Sequence, residues 1–271
     1  MTEPAVAAAE PRTLAPPERR LARVTSNEAV GAYRLISALD ADGPPDPRPG
    51  QFYMLAAGKR WGGGGDERPY LPRAFSHARA HPGPDGVELA FLLEAIGPGT
   101  ERLGELQPGE ELALVGPLGI GFREPAAGSR RLLVGGGIGV APMLCLAEEL
   151  GDAEVALGFR SAAHAEAARL FGAEPEVATD DGSAGRRALV TELLRERLED
   201  ESPATVFACG PPPMLEAVRL LCAAHGVPAQ LALESGMACG FGACFGCVVK
   251  TRDGYVRLCL DGPVLDAEAL A

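Results

Sequence analysis

An antiparallel β-barrel, then a parallel-sheet α/β unit, then a small cysteine-rich subdomain is the architecture expected of this 271-residue chain. Three observations carry that expectation. Between residues 20 and about 118, short alternating or apolar runs are separated by clusters of Gly, Pro and Asp, which is the strand-and-turn density of a small barrel. From about residue 130, strand-like and helix-like periods take turns, which implies a parallel sheet with helices on both faces. Beyond residue 233, four cysteines crowd into one short stretch. The expected division is a disordered leader at 1–19, a barrel at 20–127, an α/β domain at 128–232 and a cysteine subdomain at 233–271.

The barrel strands start at Leu21 (LARVTS), Ala32 (AYRLISA), Gly50 (GQFYMLAA), Val87 (VELAFLLE) and Glu111 (ELALVG), with Arg73–Ser76 as a further short strand. Turns fall at 41–50, 81–86 and 106–111. The run Gly62–Gly65 after Trp61 reads as a hairpin tip, because no strand-to-helix switch follows it. In the second unit an apolar strand, Leu132–Val134, crosses four glycines into a helix whose first turn holds Pro142. Val140, Met143, Leu144, Ala147 and Leu150 recur there at helical spacing. Strands at 154–159, 175–179, 204–210 and 229–233 then alternate with helices near 163–171, 188–198 and 213–224. The tail closes with a hairpin turning at Arg252-Asp253-Gly254.

Cys239, Cys244, Cys247 and Cys259 have the spacing C-x4-C-x2-C-x11-C. That is the plant-type arrangement for a [2Fe-2S] cluster, in which four thiolates hold two irons. Gly240, Gly242, Ala243 and Gly246 let the loop fold tightly and turn its N–H groups inward. Phe241 and Phe245 are expected to cover it and limit water. A structural zinc site would show two short C-x2-C knuckles, and only one is present. A disulfide framework needs an oxidising compartment, and the first nineteen residues lack the apolar core of an export signal.

Composition narrows the partners. The net charge of −12 argues against nucleic acid, which requires a basic face. No stretch is long and apolar enough to span a membrane. Seven cysteines, four of them assigned to metal, fit a reducing cytoplasm. Cys145 and Cys222 lie on apolar helix faces as core thiols. The four histidines form no ligand set.

Further candidates gather at strand ends. Gly135, Gly136, Gly137 and Gly139 open a helix straight after a buried strand, where a pyrophosphate can approach the backbone. A tight strand-to-helix turn accounts for them equally well. Cys209-Gly210-Pro211 and Thr179–Ser183 leave later strands at the same carboxyl edge, where ligands bind. Arg73, Ala74, Phe75 and Ser76 offer a cation, an aromatic and a hydroxyl in one strand. Gly99 and Thr100 begin a helix ahead of Glu101, a second anion position. Cys209 either faces the nucleotide or packs, and Glu234 either faces a flavin or caps a strand end. Arg160 and Ser161 either take a 2′-phosphate or form a solvated turn.

In order, Pro49-Gly50-Gln51-Phe52, Arg73–Ser76, Gly99-Thr100, Gly116-Pro117-Leu118-Gly119, Gly135–Gly139 and Cys209-Gly210-Pro211 resemble the ferredoxin–NADP reductase superfamily. Asp180–Ser183, the four-cysteine tail and Asp261-Gly262-Pro263 narrow the resemblance to the electron-transfer subunits of NAD-linked dihydroorotate dehydrogenases, over residues 20 to 265. Two positions depart from the pattern: Phe75, where Tyr or Ile is common, and Pro98, where Lys is common. The resemblance implies that Arg73 holds an FAD pyrophosphate, with Phe75 and Ser76 beside the ring and ribityl. It implies that Leu92, Leu93 and Glu94 lend backbone groups to FAD, and that Gly99-Thr100 cradles its phosphate. The glycine run and Cys209-Gly210 would bracket NAD(H). The implied partner is an FMN-containing dihydroorotate dehydrogenase catalytic subunit in a heterotetramer. A flavin subunit of another reductase complex and a redox-sensing module without turnover are the alternatives.

Overall fold

The computed structural model describes residues 18–62, 69–172 and 174–271. Residues 1–17 of the expected 1–19 leader, and the glycines at 63–65 of the expected hairpin tip, lie outside these.

The N-terminal unit is one antiparallel sheet. Its strands are β1 (Arg20–Val30), β2 (Tyr33–Asp40), β3 (Phe52–Ala57), β4 (Arg73–Ser76), β5 (Arg79–Gly83), β6 (Gly86–Leu93) and β7 (Glu111–Leu118). They run in the order β4-β3-β7-β1-β2-β6-β5, with a short helix α1 (Pro98–Gly104) between β6 and β7. Alternate residues of five strands converge on one core that includes Val24, Ile36, Tyr53, Leu55, Phe91 and Leu114, so the sheet curls into a half-barrel. Tyr53 meets Phe91 edge-on at 5.5 Å. A buried ion pair fixes one side: Arg20 Nη2 donates to Asp40 Oδ2 at 2.7 Å and to the Gly116 carbonyl at 2.7 Å. A turn is expected at 81–86, whereas β5 continues through Pro82 and turns only at Gly83–Gly86. Pro82 is tolerated because β5 is the last strand of the sheet, where a missing N–H costs no ladder bond.

The second unit follows the expected alternation. It comprises β8 (Arg130–Gly136), α2 (Val140–Leu150), β9 (Glu154–Phe159), α3 (Ala162–Ala165), β10 (Glu176–Thr179), β11 (Arg186–Arg187), α4 (Val190–Leu198), β12 (Ala204–Cys209), α5 (Pro212–His225) and β13 (Ala229–Ala232). A 3-10 turn at Gly137–Gly139 joins β8 to α2. The single helix expected near 163–171 is instead α3 followed by a 3-10 segment, Glu166–Leu170. Ala167 alone is buried across the two, too little apolar face to hold a regular helix together. Helices α4 and α5 cover one face of the sheet. The other face packs α2 and also Val30, Tyr33, Leu35 and Leu92 of the half-barrel, so the two units share one apolar cluster.

The tail forms the expected hairpin, β14 (Val248–Thr251) with β15 (Gly254–Arg257), and then a short helix α6 (Leu258–Asp261) that carries Cys259. A last strand, β16 (Val264–Asp266), pairs antiparallel with β13, giving the order β11-β10-β9-β8-β12-β13-β16. The C-terminal segment is therefore stitched into the α/β sheet.

Candidate functional site

A cleft of about 550 Å³ opens between the units, at the carboxyl ends of β8, β9 and β12. Its glycines divide by what surrounds them. A Cβ on Gly136 would lie 2.4 Å from Met214 Sδ, and one on Gly139 would lie 2.3 Å from the Cys209 carbonyl. Gly135 is likewise hemmed in by Leu157, and Gly210 by Met214. These four are glycine so that strand, turn and α5 can close together. Gly137 differs: its φ is +55°, a left-handed value that favours glycine, and nothing lies within 4 Å of its missing side chain. It lines the cleft and leaves backbone open to a ligand.

The opposite wall comes from the half-barrel. Glu94, just after β6, pairs with Arg160, just after β9. His164 Nε2 lies 3.2 Å from the same carboxylate oxygen and accepts from Arg160 Nε at 2.8 Å. The other ring nitrogen, Nδ1, is 2.9 Å from Ser161 Oγ, and the ring stands edge-on to Tyr33 at 5.5 Å. Arg160 and Ser161 both belong to a polar network bridging the units, not to a merely solvated turn. Glu94 and Arg160 are 66 residues apart, so no local signal could have joined them. Asp180 lines the cleft as well.

Cys209 is half-buried, and desolvation pushes its thiol up to about 12, with Glu234 adding a repulsive charge. It packs against the apolar core below the cleft as a neutral thiol. Cys145 and Cys222 are buried, as the apolar helix faces implied.

At the edge of the half-barrel, β4 pairs with β3 through Leu55↔Arg73, Met54↔Ala74, Tyr53↔Phe75 and Phe52↔Ser76. As the terminal strand it keeps its other edge unpaired, with backbone donors and acceptors available. The Arg73 guanidinium lies over Gly99 at the start of α1, where a Cβ would come within 2.7 Å of Nε. It also faces the Trp61 ring at 5.9 Å. Thr100 Oγ1 accepts from the Ile96 and Gly97 N–H groups at 2.9 and 3.2 Å. Its hydroxyl caps its own helix, which leaves the Arg73 guanidinium as the charged group here that could meet an anion. Leu92 and Leu93 are buried and offer backbone only. An open strand edge, a guanidinium and a glycine-smoothed surface together fit the diphosphate and ring of FAD.

The cysteines come as two touching pairs, Cys239 with Cys244 and Cys247 with Cys259. Among the described residues no three His, Cys, Asp or Glu side chains form a site for a single ion. Two pairs of thiols would suit a binuclear centre, with two thiolates available for each iron. Burial opposes ionisation of Cys239, but N–H groups of Cys244, Phe241 and Ala243 bring its thiol down to about 7. Gly246 N lies 3.4 Å from Cys244 Sγ, and Cys259 N lies 3.5 Å from Cys247 Sγ. Left-handed Gly240 (φ +80°) and Gly242 (φ +88°) turn the loop. A Cβ at Gly240 would sit 2.5 Å from Met54 Cγ, so the loop rests directly on β3. The expected cover is corrected: Phe241 and Phe245 are 49% and 64% exposed. Arg257 stacks over Phe245 at 5.0 Å and donates to the Gly242 carbonyl, so that ring packs on a guanidinium in an exposed position. Shielding comes instead from Phe52, Met54 and Leu258 beneath.

Residues 234–271 match the family model described as the iron-sulfur cluster binding domain of dihydroorotate dehydrogenase B. Over 255 residues the chain is 36% identical to the dihydroorotate dehydrogenase B (NAD(+)) electron transfer subunit of Caldanaerobacter subterraneus, covering 91% of this chain and 96% of that one. The chain belongs to the family of dihydroorotate dehydrogenase B electron transfer subunits. The subunit of Bacillus caldolyticus is 45% identical over 66% of this chain and 73% of its own. An Aquifex aeolicus homologue of the subunit is 41% identical over 81% of this chain and 84% of its own. Among solved structures, an NADH-dependent reduced ferredoxin-NADP oxidoreductase superposes with a TM-score of 0.76 at 23% identity, over 92% of this chain and 89% of that one. The ferredoxin reductase of carbazole 1,9a-dioxygenase gives 0.62 at 24%, over 79% of this chain and 68% of that one. Both share the fold of this chain. No helix among the described residues is long and apolar enough to cross a membrane.

Proposed function

We propose that this chain carries electrons between a partner that oxidises dihydroorotate and NAD+, through a [2Fe-2S] cluster and FAD, as a step of pyrimidine biosynthesis. One observation supports this above the rest. Met54 of β3 pairs with Ala74 of β4, while its side chain touches Gly240 of the cysteine loop. The flavin strand and the cluster loop are thus fastened to the same residue.

Arg73 anchors the FAD diphosphate, with Gly99 and Thr100 shaping the surface beneath it. Ala74, Phe75 and Ser76 hold the flavin along the open edge of β4, and Leu92, Leu93 and Glu94 contribute backbone beside it. Gly135, Gly136, Gly137 and Gly139, with Cys209 and Gly210, form the floor of the NAD(H) cleft. Cys239 and Cys244 take one iron, Cys247 and Cys259 the other. A bound flavin exchanges a hydride with nicotinamide and single electrons with an iron–sulfur centre, which nicotinamide alone does poorly. The chain contributes alignment and exclusion of water; no side chain needs to act as acid or base. The working units are residues 20–127, 128–232 and 233–271, the last returning to the second through β16. The exposed cluster loop faces an FMN-containing catalytic subunit in a heterotetramer. Seven unpaired thiols fit the reducing cytoplasm.

Anaerobic purification with its partner tests the reading. The expected result is two irons and two sulfides per chain, FAD on this subunit, and dihydroorotate-dependent reduction of NAD+. Protein with neither sulfide nor flavin would overturn it.

A further inference from the structure

We propose that Arg160 is the cation for the dinucleotide's pyrophosphate, and that Glu94 of the half-barrel holds it until nucleotide displaces the carboxylate. This rests on reading the cleft as the NAD(H) site. A pyrophosphate brings two negative charges and needs donors or a cation. The N-terminus of α5 cannot meet that need: Pro211, Pro212 and Pro213 remove three N–H groups in succession, and Met214 N is spent on the Pro211 carbonyl. Gly137 offers backbone but no charge. Arg160 is the one Lys or Arg among the described residues that line the cleft, and its side chain is 62% exposed, within reach of a ligand.

Its present partners are a charge-neutralising Glu94 from the other unit and His164, whose ring is fixed by Ser161 and Tyr33. A nucleotide phosphate would therefore compete with Glu94 for one guanidinium. The pair spans the cleft, so the same exchange releases a tie between the half-barrel and the α/β sheet as nucleotide enters. The two units stay joined through their shared apolar cluster.

The test is calorimetric titration of the oxidised, cofactor-loaded protein with NAD+ and with NADP+, flavin content being measured beside each titration. Glu94→Gln should tighten both nucleotides by about two- to fivefold, the range set by a solvent-exposed ion pair. Arg160→Met should weaken both by about tenfold or more, as for loss of a charge-assisted hydrogen bond. The double variant should match Arg160→Met, because Glu94 acts only through Arg160. Unchanged affinities in both single variants would overturn the inference while leaving the nucleotide reading intact. A gain confined to NADP+ would place a 2′-phosphate on Arg160 and overturn it too. Wild-type protein that binds neither nucleotide would overturn the reading of the cleft, and the inference with it. If Glu94→Gln loses flavin, Arg160→Met, which lies outside the half-barrel, decides the matter.

Discussion

At the scale of single residues, the cysteines separate cleanly by environment. Cys247→Ser and Cys259→Ser should each abolish the cluster's visible absorbance and its paramagnetic signal on reduction, because three thiolates remain where two irons need four. Cys145→Ala should keep full iron content, since that thiol lies in the core and burial pushes it up to about 12. His77 sets a pH dependence. It is fully buried beside Tyr53, and desolvation pulls its pKa down to about 4, with backbone groups of Gln51 and Pro47 opposing. A depressed histidine favours the folded state fully above the unfolded value near 6.5 and loses that support as pH falls toward the folded value. Stability should drop by about 2–3 kcal/mol between pH 7 and 4.5. Urea midpoints at the two pH values measure it, and His77→Phe should flatten that window. Arg20→Met should cost about 3–5 kcal/mol, because it strands the Asp40 carboxylate, which is 1% exposed; a denaturant titration reads that loss.

At the scale of elements, neighbouring glycines of one turn have different duties. Gly136→Ala drives a methyl into Met214 and should lower the melting temperature by several degrees, with α5 displaced from β8. Gly137→Ala meets no atom and pays only for its left-handed backbone, about 1 kcal/mol, yet its methyl enters the cleft. Its signature is weakened NAD+ binding with near-normal melting. The sequence announced this turn as a glycine run after an apolar strand, and four-cysteine spacing announced the cluster loop outright. It did not announce which glycine was spare, because that depends on Met214, far along the chain. Nor did it announce β11 and β16. Arg186-Arg187 and Val264-Leu265-Asp266 are too short to show a period, and they become strands only through the neighbours they find. The covering role expected of Phe241 and Phe245 failed for a similar reason: Arg257, from the next hairpin, captures one ring.

At the scale of the molecule, the cysteine loop leans on β3 of the half-barrel while its chain returns to the α/β sheet. Removing iron with a chelator under reducing conditions should therefore lower the melting temperature of the whole protein, not of the tail alone. Differential scanning calorimetry before and after chelation checks this, and an unchanged main transition would show the tail to be energetically separate. Both ends of the cluster segment leave the same sheet edge, since Ala232 of β13 sits directly opposite Val264 of β16. Topologically the metal-binding stretch is thus a detachable cassette, plugged into adjacent sockets. Excising residues 235–262 and joining the two strands by a tight turn should yield a smaller flavoprotein that still accepts hydride but has lost its outlet for single electrons.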